Sequence, residues 1–390
     1  MNMSKKRIAA LQTLLQQDGM DAAIYATSPA FIYLLDIPTF WTQRYGVTQG
    51  PKPGRERPTL TRPETMLYVP AAGDPVVFTI PQRKKDLEGV DCKVIVSHLD
   101  YFSNKLEPYV HGGNVAVGLA CQEELTSMVK IADECHHGSV TVIEGEDYVR
   151  KLRMIKDEKE IGLMRKVAAL TDYAMEEIVK ILKPGITPYQ VEEKIAAIGE
   201  EAGCEDLSFA GQCIGVEKGH PTSYDPYIFP KNRPFRLQTG IAFDMGYLLN
   251  GYCSDYGRSF YLGEPSREAV DSYAALQAAQ QYVVEHIVPG RTPVASASDM
   301  LYEGLEQFGR GHQLRNHEGG VQGHQIGLDV HENPWLARGQ KGVFLPGMIF
   351  CLEPKIFIPD EIYMRVEDMV LVTETGAEFL TVFDRTKFVL

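Results

Sequence analysis

The sequence predicts an α/β N-terminal domain over residues 1–150, joined to an α+β C-terminal domain over residues 151–390 that folds from two related halves about a pseudo-twofold axis. Three observations predict it. Short β-branched runs alternate with helical spacing over the first part of the chain, the second part is written twice, and each copy carries two carboxylates inside apolar, strand-like sequence.

The N-terminal stretch MNMSKKRIAALQTLLQQDGM reads as an amphipathic helix near residues 5–18. Glutamines and an aspartate interrupt its apolar residues, which separates it from a secretory signal, and the cytoplasmic expectation rests on the scattered cysteines. DAAIYA, TMLYVP, PVVFTI, CKVIVSH, NVAVGL and SVTVIEG are β-branched runs of strand length, and FIYLL fits a helix or a strand. Between them lies Ile37 to Glu64, rich in Pro, Gly and Arg, with Arg44, Lys52, Arg55, Arg57 and Arg62. It is too long and turn-rich for a plain connection, and is either a flap over a site or a solvated basic loop. From Val149 to Lys183 the period is helical and the composition charged, which places the domain boundary just before it.

The duplication follows. ILKPGITPYQVEEKIAAIGEEAG (Ile181 to Gly203) is echoed by HIVPGRTPVASASDMLYEGLEQFG (His286 to Gly309). Pro184-Gly185 and Pro289-Gly290 stop helices, while Thr187-Pro188 and Thr292-Pro293 are spaced to cap and open the next ones. Gly219-His220 recurs as Gly323-His324, Asp244 corresponds to Glu353, and Asp255 to Glu367, at offsets of 104, 109 and 112 residues. So many matches at nearly one offset favour duplication over a coincidence of helix punctuation.

Asp244 and Asp255 flank Gly246, Asn250 and Gly251, and Glu353 and Glu367 flank Pro354 and Pro359-Asp360. Each spacing suits a hairpin that returns both acids to one end. Burying four bare carboxylates together is prohibitive, so metal is the economical explanation. With His324 as a nitrogen donor the set is hard and oxygen-rich, suited to two divalent ions with one carboxylate of each hairpin bridging. Mn²⁺ leads, and Co²⁺, Fe²⁺ and Zn²⁺ are compatible. Cys253 and Cys351 each stand two residues before a ligand, so strand alternation turns them to the same face. For both, small buried core residues are the plainer reading.

Taken in order, AFDMG, GYCSD, GHQIGLDVHE, LPGMIFCLEP and MRVED resemble the creatinase/prolidase/aminopeptidase P family of pita-bread metallohydrolases. The resemblance runs over essentially the whole chain, with a creatinase-type N-terminal domain and LRMIKDEKEI as the entry to the catalytic one. It implies Asp244, Asp255, His324, Glu353 and Glu367 as metal ligands, Asp255 and Glu367 bridging. It further implies His220 and His331 at the substrate and the developing oxyanion, Arg365 beside the last ligand, and a homodimer in which Ile37 to Glu64 covers a partner's active-site mouth. Two positions depart from the family. Gly320 stands where a histidine is usual, with His317 as a substitute that would have to fold in, and Gly257 stands where a hydroxyl is usual.

The chemistry these residues imply is attack by a metal-bridging hydroxide on a polarised carbonyl, with Glu353 carrying the proton to the leaving nitrogen and His331 stabilising the oxyanion. His220 and Arg365 would position the substrate. A Xaa-Pro peptidase acting on small peptides is the first reading. A hydrolase or lyase for a non-peptide metabolite, favoured by Gly320, Gly257 and the Arg-rich segment, is the second, and a non-catalytic binding protein the third. A net charge of −13 argues against nucleic-acid or anionic-membrane partners. Seven scattered cysteines without a CxxC pair fit reduced thiols, and Cys135-His136-His137 reads as a surface loop.

Overall fold

A computed structural model of the chain describes residues 3–37, 64–98, 105–109, 113–118 and 140–390. The Arg-rich segment, apart from its end residues Ile37 and Glu64, lies outside the described residues, as do Cys121, Cys135, His136 and His137. The chain divides into two compact units, Met1–Arg153 and Met154–Leu390.

The first unit holds helices α1 (Met3–Gln17), α2 (Pro29–Leu35) and α3 (Glu146–Arg153) and strands β1 (Ala22–Ala26), β2 (Thr65–Pro70), β3 (Val76–Thr79), β4 (Lys93–Val96), β5 (Gly113–Val117) and β6 (Val140–Glu144). The strands form one mixed sheet in the order β4-β3-β2-β1-β5-β6. FIYLL resolves as helix because Ser28 caps it, accepting from the Phe31 amide at 3.2 Å, and Pro29 opens it. All six β-branched runs are strands, and apolar side chains of β1 to β5 pack around Ile24, Tyr68 and Phe78.

The second unit repeats one plan twice. The first copy runs α4 (Glu158–Ile181), α5 (Pro188–Glu201), β7 (Asp206–Leu207), β8 (Gln212–Glu217), β9 (Thr239–Asp244), β10 (Tyr247–Leu249), β11 (Tyr252–Cys253) and β12 (Ser259–Leu262). The second runs α6 (Arg267–His286), α7 (Ala297–Glu306), β13 (Gly323–Gln325), β14 (Glu332–Trp335), β15 (Ile349–Leu352), β16 (Lys355–Ile358), β17 (Ile362–Arg365), β18 (Asp368–Val372) and β19 (Ala377–Phe379). Strands β8-β9-β12 and β13-β15-β18 are the matching antiparallel sets, and in each a hairpin, β10–β11 or β16–β17, is inserted before the last strand. Equivalent turns are tied alike: the Gly185 amide donates to the Phe235 carbonyl at 2.9 Å and the Gly290 amide to the Phe344 carbonyl at 2.7 Å. Each copy has its own apolar core, one around Ile195, Ile241 and Phe243, the other around Leu276, Leu301 and Phe350.

Two local expectations are corrected. The helical period from Val149 to Lys183 is broken between α3 and α4, because Asp157 and Glu160 form a reciprocal capping box that starts a new helix. Thr187 caps α5 as expected. Thr292 does not cap: its hydroxyl accepts from the Val288 amide at 2.8 Å and closes the Pro-Gly turn, and α7 begins at Ala297 after a 3₁₀ turn.

Candidate metal centre

The inserted hairpins aim the acids. Asp244 is the last residue of β9 and Asp255 follows β11, while Glu353 follows β15 and Glu367 precedes β18. Asn250 and Gly251, with φ of 50° and 82°, make the two-residue turn that returns β11 on β10. The copies meet beside these acids: the Glu367 amide donates to the Gly257 carbonyl at 2.9 Å, and the Gly257 amide to the Glu367 carbonyl at 3.3 Å. Arg258, fully buried, locks this seam from behind. One of its guanidinium nitrogens donates to the carbonyls of Gly257 and Glu367 at 2.9 and 3.0 Å, and another to the Asp368 carboxylate at 2.6 Å.

Asp255, His324, Cys351 and Glu367 converge, each offering an atom such that all lie within 4.8 Å of one another, and all four are buried. His324 lies on β13, and its Nδ1 is 3.1 Å from its neighbour's carbonyl at Gln325, to which it donates. That fixes Nε2 as the free lone pair, facing Asp255 Oδ2 at 3.4 Å. Burial holds the imidazole below its ordinary pKa against the pull of Glu353, so Nε2 is not protonated at neutral pH. Two acceptors face each other at about the 3.3 Å edge of a tetrahedron with metal bonds of 2.0–2.1 Å. Asp255 Oδ1 and Glu367 Oε2 are buried with no hydrogen-bond partner. Burial, then Asp244 and Glu353 for Asp255, and Asp255 and Glu353 for Glu367, push both carboxyls well above the ordinary range. Orphaned buried oxygens, mutual repulsion and a lone pair aimed inward are what a divalent ion would relieve. The residues fit the group.

Asp244 and Glu353 stand beside this set, each held by a cation. The Arg365 guanidinium pairs with Asp244 and lies 3.7 Å from Glu367, and the Lys355 ammonium pairs with Glu353. Burial opposes the Glu353 carboxylate, but Lys355 and Arg365 prevail and hold it below its ordinary value. Lys355 and Arg365 are cross-strand partners on β16 and β17. Sequence reasoning missed Lys355, although its place two residues after Glu353 was a readable sign. His331 is exposed at the rim, edge-on to His324 at 4.4 Å and stacked on Trp335 at 5.3 Å. Burial and His324 lower its pKa. His220 is half-buried in a turn, its Nδ1 accepting from the Thr222 amide at 3.2 Å, so Nε2 carries the proton.

Both departures have steric reasons. Gly320 adopts φ of +79° and a Cβ there would lie 2.9 Å from the Arg338 amide nitrogen, so no histidine fits. His317 does not replace it: its ring stacks on Tyr302 at 4.4 Å and its Nε2 meets Arg338 at 3.0 Å. At Gly257 a Cβ would lie 2.7 Å from Arg365 Cγ, closer still to Cδ, and 3.1 Å from Glu367 Cβ. The missing hydroxyl is the notch that receives the Arg365 stem. Cys253 donates to the Leu328 carbonyl and Cys351 to the Asp255 carbonyl, each at 3.8 Å, and of the two Cys351 belongs to the converging four.

The chain is similar to known proteins. Residues 162–374 match the model of metallopeptidase family M24. The chain is 32% identical over 324 residues to a probable dipeptidase, PepE, of Mycobacterium tuberculosis, covering 80% of this chain and 82% of that protein. It superposes on a dipeptidase of Pyrococcus horikoshii with a TM-score of 0.81 at 23% identity, covering 98% of this chain and all of the other. A Xaa-Pro dipeptidase of Bacillus anthracis gives a TM-score of 0.81 at 20% identity, with 99% and 100% covered. The chain therefore belongs to metallopeptidase family M24: it is a metal-dependent peptidase with the pita-bread fold.

Proposed function

We propose that this peptidase cleaves dipeptides, Xaa-Pro dipeptides foremost, at a centre of two divalent ions held by Asp244, Asp255, His324, Glu353 and Glu367. The observation that carries the reading is the convergence of buried donors in which Asp255 Oδ1 and Glu367 Oε2 have no hydrogen-bond partner. The names of the relatives, dipeptidases and a Xaa-Pro dipeptidase, support the substrate class. Bound dications supply Lewis-acid polarisation of the scissile carbonyl and lower the pKa of a water toward neutrality.

The chain's own residues do the rest. Glu353, kept ionised by Lys355 and Arg365, is ready to accept a proton and return it to the leaving nitrogen. His331, neutral because its pKa is lowered, donates an N–H to the developing oxyanion from the rim. His220 offers its Nε2 proton to the substrate backbone, and Arg365 orients the peptide. The assay is a panel of Xaa-Pro dipeptides, their tripeptide extensions and non-proline dipeptides, with Mn²⁺ or Co²⁺ present. Selective turnover of Xaa-Pro dipeptides is the expected result. Turnover of tripeptides with release of the N-terminal residue would replace the dipeptidase reading with an aminopeptidase one, and turnover of non-proline dipeptides alone would remove the proline requirement.

A further inference from the structure

The turn that carries His220 belongs to the first copy, yet the second copy holds it. Its own hydrogen bonds are local: the His220 amide donates to the Glu217 carbonyl at 3.0 Å, and the Ser223 amide to the His220 carbonyl at 2.9 Å. The tip of the β16–β17 hairpin, Pro359 to Glu361, supplies the rest. Asp360 accepts the Gly219 amide on its carboxylate at 2.7 Å and donates its own amide to the Ser223 carbonyl at 3.1 Å. One residue thus grips the turn just before His220 and again just after it. The carboxylate bond is charge-assisted, and the Gly219 amide holds the Asp360 carboxyl below its ordinary range. The tip is itself fixed, because the Glu361 carboxylate accepts from both the amide and the hydroxyl of Ser266, each at 2.7 Å, where Ser266 caps α6. Later in the same segment Tyr227 meets Tyr363 of β17, their hydroxyls 3.1 Å apart and their ring centroids 5.8 Å apart, edge to face.

We propose that Asp360 is a positioning residue, which reaches across the two copies to set the orientation of His220 toward the substrate. The inference rests on the peptidase reading in which His220 offers its Nε2 proton to the substrate backbone. Nδ1 already accepts from the Thr222 amide, so the direction of the ring follows its turn, and the direction of the turn follows Asp360. Without the carboxylate the Gly219 amide loses that partner and the turn can swing, while Tyr227, Phe229 and Phe235 keep the rest of the segment docked. Asp360 has a φ of 62°, a conformation that glycine and asparagine adopt more readily than other residues. Glycine therefore deletes the carboxylate without adding backbone strain, and asparagine returns an acceptor oxygen without the charge.

The test compares turnover of the fastest-cleaved dipeptide, thermal unfolding and bound Co²⁺ in full-length wild type, Asp360→Gly, Asp360→Asn, His220→Ala and the double variant Asp360→Gly/His220→Ala. Asp360→Gly should lower kcat/KM by about 10- to 100-fold, the scale of a small misplacement, and keep its cobalt. Asp360→Asn should stay within about threefold of wild type, because it keeps the hydrogen bond and loses only the charge assistance. In the His220→Ala background Asp360→Gly should cost nothing further, since it acts through the missing ring. Losses that multiply in full in the double variant give Asp360 a role independent of His220 and overturn the proposal. So does an Asp360→Gly enzyme with wild-type turnover when His220→Ala is impaired, or an asparagine variant as defective as the glycine one. An Asp360→Gly protein that loses its cobalt or unfolds at the assay temperature reveals a structural role and overturns it too. Wild-type turnover in His220→Ala overturns the substrate role of His220 and this inference together.

Discussion

Gly257→Ala isolates the notch beneath Arg365. Its φ lies outside the left-handed region, so the added methyl costs nothing through the backbone and everything through contact. The new Cβ would sit 2.7 Å from Arg365 Cγ and 3.1 Å from Glu367 Cβ. Neither neighbour gives way easily. Arg365 is buried, its amide donates to the Ser259 hydroxyl at 2.8 Å, and its guanidinium is tied to Asp244; Glu367 is pinned by the paired hydrogen bonds with Gly257. Overpacking of this kind costs about 1–3 kcal/mol. For a unit of this size that is a fall in Tm of roughly 2–12 °C. Because the displaced atoms belong to Glu367, a proposed metal ligand, and to the arginine beside it, kcat/KM should fall as well. Gly162→Ala is the control, since nothing lies within 4 Å of its Cβ in α4, and it should stabilise by about 0.4–1 kcal/mol. The assay is thermal unfolding with and without metal, alongside dipeptide turnover. Gly257→Ala with unchanged Tm and unchanged kcat/KM would refute the claim that glycine is required beneath Arg365.

Other perturbations test neighbouring parts of the account. Lys156→Met removes the cation paired with Glu332 at 2.9 Å, a pair only 1% and 7% exposed, and should cost about 3–5 kcal/mol in denaturant unfolding, whereas an exposed pair such as Arg267 and Asp271 should cost about 1 kcal/mol or less. His331→Ala should abolish most turnover while leaving Tm near wild type, because the ring is exposed at the rim; activity above about a tenth of wild type would remove its oxyanion role. The raised carboxyls of Asp255 and Glu367 favour the metal-free fold below the unfolded carboxylate pKa and withdraw that contribution as pH rises through their folded values. Metal should therefore raise Tm more at pH 8 than at pH 5 and release protons on binding, and a metal shift in Tm independent of pH would contradict the assigned ligands.

Much of this was legible because the signals were local. β-branched runs marked the strands of the first unit, and Asn250-Gly251 marked a turn that only a hairpin uses, which brought Asp255 back toward Asp244. The duplication supplied the long-range step, for similar spacing in two copies implied matching sheets before any contact was known. What escaped depended on distant partners. That Thr292 would close its own turn while Thr187 capped a helix was not written in PGRTP and PGITP, which differ in one residue. His317 was a free candidate in sequence, and Tyr302 and Arg338 hold it elsewhere. Lys355 and Arg365 became a cationic pair only through the register of β16 and β17, and Arg258 reached Glu367 only through the seam between the copies. FIYLL was ambiguous because an apolar run this short carries no period, and the Ser28 cap decided it.

The central claim is that four carboxylates and one histidine, brought together by two duplicated hairpins, hold a pair of divalent ions. Elemental analysis of the full-length protein, stripped of metal, reloaded with Co²⁺ and freed of excess, tests it most directly. The account predicts about two ions per chain, falling in Asp255→Asn and Glu367→Gln, whose side chains face the same buried space. Less than about one ion per chain in protein with every ligand intact, or unchanged loading in both variants, would contradict it.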